Sequence, residues 1–176
     1  MSAQTILFFN NFFAILTVVA LVGAVALLVY RVVKGPEDAA ALLGGKAVWL
    51  AWVVALVATV GSLMYSELFH YVPCRLCWFQ RIAMYPLAVV LLVGAIRREA
   101  AVKFYAIPIA LIGLVISIYH NVLQFFPTLE GTSCDPLVPC SARSIEMFGF
   151  MDLPFMAGAG FIVIAVLLAF YTKAPQ

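Results

Sequence analysis

The chain has 176 residues, of which 66% are hydrophobic and only 10% charged, with a formal net charge of +2. A soluble domain carries about 25% charged and 45–50% apolar residues, so the composition excludes a water-soluble fold, and no nucleic-acid partner is expected. In lipid the backbone is satisfied only within helices or a closed barrel. The apolar runs here are long and unbroken rather than alternating, which points to an all-α membrane protein.

Spanning a bilayer takes about 20 mostly apolar residues, and five runs qualify in chain order. The first is Ile6 to Val33, with no charge before Arg31. It lacks the basic leader and small-residue cleavage pattern of a signal peptide, so a retained helix is expected. The second is Ala47 to Leu68, and the third Cys77 to Ile96, broken only by Arg81. The fourth is Phe104 to Phe126, which contains His120, and the fifth is Leu153 to Thr172. Pro86 and Pro108 fall inside spans three and four, where neighbouring helices can re-satisfy a freed carbonyl. No internal repeat or low-complexity segment stands out.

Lys and Arg set the orientation. If all five runs cross, Arg31, Lys34, Lys46, Arg97, Arg98, Lys103 and Lys173 share one side, against Arg75, Arg81 and Arg143 on the other. The richer side faces the cytoplasm, so the N-terminus lies outside and the C-terminus inside. Both cysteine pairs then face outward, where disulfides persist.

Cys74-Arg75-Leu76-Cys77 opens span three, just after Pro73. A helix N-terminus favours an anion and lowers thiol pKa values. Arg81 follows Cys77 by four residues, so the two share a helix face, and a cation at that depth is costly unless paired or functional. Redox activity is the reading these residues favour. A structural disulfide, inert thiols or a zinc site are the other readings of a Cys-X-X-Cys, and a fixed cation opposes zinc.

Cys134 and Cys140 lie in the one long outer loop, Pro127 to Asp152, separated by Asp135-Pro136-Leu137-Val138-Pro139. A small ring stiffened by two prolines could be a static staple. It could equally be a disulfide that a soluble thiol attacks, exchanging with the first pair. The chain would then carry electrons between a soluble protein and something dissolved in lipid. Ser141 to Met151 reads as a short interfacial helix or as an irregular loop dipping into the bilayer. His120 is either a functional group, as ionisable residues in spans often are, or an interfacial His satisfied by its helix. His70 is expected in solvent. Trp49 and Trp52 fit an aromatic belt, and Trp78, Phe79 and Tyr85 line a pocket or simply pack.

Taken together, Pro73-Cys74-Arg75-Leu76-Cys77-Trp78-Phe79-Gln80-Arg81-Ile82-Ala83-Met84-Tyr85-Pro86 resembles the signature of the DsbB family of disulfide-bond formation proteins, in the style of its Gram-positive BdbC branch. His120-Asn121-Val122-Leu123-Gln124 is similar to the family's His-X-X-Leu-Gln stretch. Cys134, Cys140 and Glu146-Met147-Phe148-Gly149 resemble its second redox loop. The likeness covers roughly residues 47 to 172.

The resemblance implies a four-helix transmembrane bundle, here residues 47–176 with an outer redox loop at 127–152. Residues 1–46 add an extra N-terminal helix and a cytoplasmic loop. It implies a membrane thiol:quinone oxidoreductase in the bacterial plasma membrane that reoxidises a thioredoxin-like, DsbA-type protein and passes electrons to ubiquinone or menaquinone. In that likeness Cys74 and Cys77 are the quinone-linked pair, Cys77 and Arg81 contact the quinone, and His120 lies near it. Cys134 is attacked by the partner and Cys140 communicates with the first pair. Two features depart from the family: the first span is extra, and the loop cysteines stand unusually close. The alternatives are a structural membrane protein with static disulfides, or a quinone reductase running in the vitamin K epoxide reductase direction. Those reductases place their loop cysteines before the Cys-X-X-Cys, the reverse of this chain.

Overall fold

The computed structural model describes residues 3–131 and 134–171. Among them there is no strand, only two isolated bridges. Helix α1 spans Ala3–Lys34, α2 Pro36–Leu43, α3 Lys46–Leu63, α4 Arg75–Arg97, α5 Val102–Phe125 and α6 Leu153–Ala169. A π-helical turn, Met64–Leu68, extends α3.

Four of these, α1, α3 with its extension, α4 and α5, are long and apolar enough to cross a bilayer. The fifth apolar helix, α6, has 17 residues, about 25 Å at 1.5 Å per residue. Thr172, the expected end of the last span, and Lys173 lie outside the described residues. The segment expected as a cytoplasmic loop contains α2, started by Pro36 at its first position and by Glu37 and Asp38 in its first turn. Proline and acidic residues both favour a helix start.

Helices α3, α4, α5 and α6 close into a ring, and α1 leans on α6 from outside. The core of the ring is Leu87 and Leu91 of α4 with Phe161, Ile164 and Leu168 of α6. Small residues let the backbones approach. At Gly113 a Cβ would stand 2.3 Å from the Phe161 ring, so no other residue fits that crossing of α5 and α6.

Lipid tails are as apolar as this core, so helix association depends on packing and on hydrogen bonds, each worth about 0.6–2 kcal/mol. Three buried links serve here. Gln80 Nε2 donates to Ser117 Oγ at 3.1 Å, joining α4 to α5. Arg81 Nε donates to Ser62 Oγ at 2.9 Å, joining α4 to α3. Tyr65 donates to Asn10 Oδ1 at 2.8 Å, joining the π turn to α1. The basic residues gather at one end: Arg31 Nη1 reaches the Ala169 carbonyl and Lys103 Nζ the Tyr171 carbonyl. The four cysteines lie at the other end.

Candidate functional site

Helix α4 begins one residue after Cys74, whose Sγ caps it by accepting the Cys77 N–H at 3.3 Å. Pro73 cannot continue a hydrogen-bonded turn upstream, so the cysteine takes the cap position in extended conformation. The two sulfurs are free thiols 2.8 Å apart. Sequence reasoning gave the helix end to Cys77; the geometry gives it to Cys74. The Cys74 thiol is held below the ordinary thiol range, first by the hydrogen bond from the Cys77 thiol, then by His120, against the opposing effect of its burial.

His120 is brought to the same point from the last turns of α5 and is 2% exposed. Its Nε2 lies 3.0 Å from the Cys140 carbonyl oxygen and 3.6 Å from Cys74 Sγ. A carbonyl only accepts, so Nε2 carries the hydrogen and points it at both cysteine pairs. His120 Nδ1 has no hydrogen-bond partner among the described residues, and neither has Gln124 Oε1.

Cys134 and Cys140 are joined by a disulfide, with Cα atoms 5.9 Å apart. They pack in one cluster with Cys74, Leu76 and Leu123. Cys140 is fully buried and Cys134 is 8% exposed, so the outer face of the bond belongs to Cys134. The ring is braced internally: Asp135 Oδ1 accepts from Leu137 N–H, and Val138 N–H donates to the Asp135 carbonyl. The Glu130 carboxylate accepts from the Cys140 N–H and the Ser141 hydroxyl.

Ser141 to Met151 takes the irregular alternative rather than the helical one. Met147 and Met151 pair through two backbone hydrogen bonds around Phe148 and Gly149, both with positive φ. Arg143 pairs with Glu146 at 3.3 Å and lies over the Phe125 ring. Asp152 then caps α6, accepting the Phe155 N–H at 2.9 Å. It is 2% exposed, and burial pushes its carboxyl above the ordinary range, with Arg143 and His120 opposing.

Two cavities flank the Cys-X-X-Cys, and Cys77 borders both. The first, about 250 Å³, is walled by α1, α3, α4 and α6 and holds Arg81, Tyr85 and Gly160 among mostly apolar side chains. Arg81 is 9% exposed. It is anchored on Ser62 through Nε and through Nη2 to the Ser62 carbonyl at 3.0 Å, and it stacks on Trp78. The second, about 290 Å³, holds His120, Gln124 and Asp152 under the Cys134–Cys140 loop. His70 is exposed, Trp49 and Trp52 meet edge to face, and Tyr85 lines the first cavity.

Cys74, Cys77 and His120 present their ligand atoms within 4.8 Å of one another. Two thiolates on a tetrahedral zinc, each at about 2.3 Å, would stand about 3.8 Å apart, wider than the 2.8 Å between these sulfurs.

Sequence reasoning missed Glu130 and Asp152, and gave Gln124 no role beyond its place in the His-X-X-Leu-Gln stretch. Asp152 had a signal: an acidic residue just before Leu153-Pro154 and an apolar run is an N-cap pattern. Glu130 had none, since its partners lie ten residues on.

The sequence pattern of the family described as "Disulfide bond formation protein DsbB" matches residues 45–171. "Disulfide bond formation protein C" of Bacillus subtilis (strain 168) is 44% identical over 121 residues, covering 68% of this chain and 88% of that protein. "Probable disulfide formation protein C 2" of Bacillus anthracis is 43% identical over 119 residues, covering 68% and 85%. "Probable disulfide formation protein" of Oceanobacillus iheyensis is 43% identical over 120 residues, covering 67% and 83%. No solved structure matches the chain. With its sequence matched over most of its length and its helices built for a bilayer, the chain belongs to the DsbB family of disulfide bond formation proteins.

Proposed function

We propose that the chain is a thiol:quinone oxidoreductase of the bacterial plasma membrane, with the cysteine end outside and the basic end in the cytoplasm. It takes electrons from a secreted thioredoxin-like, DsbA-type dithiol protein and delivers them to a membrane quinone. The observation that carries this reading is the position of Cys77. Its thiol borders a mostly apolar cavity with a buried cation on one side and a polar cavity under the loop disulfide on the other.

The apolar cavity fits a quinone headgroup in kind: flat walls, a positive guanidinium, and a thiol at the rim. Cys77, Arg81 and Tyr85 would hold it, and when bound it supplies an acceptor for two electrons and two protons. Binding pockets usually measure about 300–1,000 Å³, so a site of 250 Å³ takes the ring and leaves most of a long tail in lipid.

On the polar side a partner thiolate attacks Cys134, the more exposed sulfur, and Cys140 leaves as thiolate. The second partner thiol resolves the mixed disulfide, so the partner departs oxidised and the loop pair holds two electrons. Cys140 then attacks Cys74 of the Cys74–Cys77 disulfide, and Cys77 leaves as a thiolate facing the Arg81 cavity. Cys134 resolves the Cys140–Cys74 bond, which restores the loop disulfide and frees Cys74. His120, hydrogen-bonded between Cys140 and Cys74, positions the two pairs for this exchange. Loss of two electrons and two protons from the Cys74 and Cys77 thiols to the acceptor joins the two sulfurs and restores the first disulfide.

The test is loss of quinone absorbance when the purified protein is mixed with a quinone analogue and a reduced thioredoxin-like oxidase. Dithiol-dependent loss that disappears in Cys77→Ser is expected. Undiminished turnover in Cys77→Ser, or no loss with any quinone while both disulfides stay intact, would replace this reading with a structural one.

A further inference from the structure

We propose that α1, which precedes the family match at residue 45, is a wall of the quinone site and that Leu16 and Ala20 set which quinone tails it accepts. This rests on the quinone reading above and extends it to an element that reading does not need.

Helix α1 is pinned at two points and faces the cavity between them. At the outer end the buried Asn10 accepts the Tyr65 hydroxyl. An amide in lipid is tolerated only when satisfied, so this bond fixes the rotation of α1. One turn further on, the Phe13 ring lies against Gly61, where a Cβ would come within 3.0 Å of it. At the inner end the Arg31 guanidinium stacks on Phe170 at 5.3 Å and reaches the Ala169 carbonyl.

Between the pins, Leu16, Thr17 and Ala20 line the same cavity as Cys77 and Arg81. Thr17 donates its hydroxyl hydrogen to the Phe13 carbonyl at 2.8 Å, so α1 presents an apolar surface there. The opposite face of α1, with Val22 63% exposed, is turned toward lipid.

The cavity therefore has two ends. The head end has Cys77, Arg81 and Tyr71 on the side of the cysteines. The deeper end lies between Ala20 of α1 and Val53 of α3. The whole cavity, about 250 Å³, is too small for a complete isoprenoid quinone, so the chain of the ligand leaves between its walls, of which α1 is the outermost. A bulkier side chain at residue 20 narrows that exit without touching the cysteines or Arg81.

The experiment uses the full chain in lipid nanodiscs with Ala20→Phe, Leu16→Ala and, as a lipid-facing control, Val22→Phe. Two probes are compared: a short-tailed quinone analogue and a menaquinone with a long isoprenoid tail. For each, the KM is measured with reduced partner protein in excess, and equilibrium binding is measured separately by quenching of protein fluorescence. Ala20→Phe is expected to weaken binding and raise KM for the long-tailed quinone on the order of tenfold, the size of a small apolar pocket change. The short-tailed analogue, the KM for the partner and Val22→Phe stay at wild-type values. Leu16→Ala removes bulk, carries little folding risk, and shifts long-tail discrimination the opposite way. If wild type reduces quinone and neither Ala20→Phe nor Leu16→Ala changes the ratio of the two quinones, α1 is not a wall of the site. If wild type neither binds nor reduces either quinone, the quinone reading itself fails and this one falls with it.

Discussion

The two sides of the Cys74–Cys77 pair have cavities of nearly equal size, both mostly apolar, that differ in the polar groups they hold. Toward the lipid the walls are apolar, and the one charge, Arg81, is tied to Ser62 on a neighbouring helix. Toward the loop the walls carry an imidazole, a carboxyl and an amide, two of them with atoms that have no hydrogen-bond partner among the described residues. Burying polar atoms unpaired costs about 1–3 kcal/mol each, a penalty with no packing benefit in return. On the proposed mechanism the lipid side holds the quinone, and the loop side moves bonds and protons between sulfurs. A single thiol, Cys77, belongs to both.

The largest effect that separates the sides is expected from Cys140→Ser. Turnover driven by the partner protein should fall to background, while quinone reduction driven by dithiothreitol, which reduces Cys74–Cys77 directly, continues. Loss of both in the absorbance assay would mean that the sides do not work separately.

Arg81→Gln is next and acts on the lipid side alone. Hydrogen bonds to charged groups contribute about 1.5–3 kcal/mol, so the quinone KM should rise about 10–100-fold, with the partner KM unchanged. Arg81→Lys keeps the charge but loses the planar two-point hold on Ser62, and should fall between the two. His120→Phe acts on the loop side. With a buried hydrogen bond worth about 1–1.5 kcal/mol, it should slow transfer from the loop pair to Cys74–Cys77 about tenfold in rapid-mixing experiments, leaving quinone binding intact.

The smallest effect concerns pH. The raised Asp152 carboxyl binds its proton more tightly in the folded chain than in the unfolded one. Folded stability therefore declines as pH rises from the ordinary carboxyl range through the raised value, and does not change further above it. Asp152→Asn keeps an oxygen to accept the Phe155 N–H and removes the ionisation. Its denaturation midpoint in detergent should be flatter with pH across the acid range than that of wild type.

Much of this arrangement was legible from the chain alone. Hydropathy located the five apolar helices because a spanning helix is a local, one-dimensional property. Pro73 followed by Cys-X-X-Cys marked the start of α4 for the same reason. What was not legible depends on contacts far apart in sequence. That the helix-end N–H serves Cys74 depends on the register of one turn. That His120 links Cys74 to Cys140 depends on how α5 meets the loop. Arg81 was read as a partner for Cys77, and its actual anchor, Ser62, is nineteen residues away on another helix. The extra helix α1 was recognised, but its place against α6 and the cavity follows from Asn10, Phe13 and Arg31, which a hydropathy scan treats as incidental.

The short ring of Cys134 and Cys140 has a consequence for timing. Its turn is held by the Asp135 and Val138 hydrogen bonds and by the Glu130 clamp, none of which needs the sulfur–sulfur bond. When that bond is opened the two thiols remain neighbours, so each sees the other at a very high effective molarity, up to about 10⁵ M or more for well-oriented groups. In the Cys140–Cys74 mixed disulfide, attack by Cys134 carries the exchange forward, whereas in the partner–Cys134 mixed disulfide attack by Cys140 returns the partner reduced, so the partner's second thiol has to compete with it. On the proposed mechanism the loop pair therefore holds electrons only briefly, and they collect on the helix-capping pair.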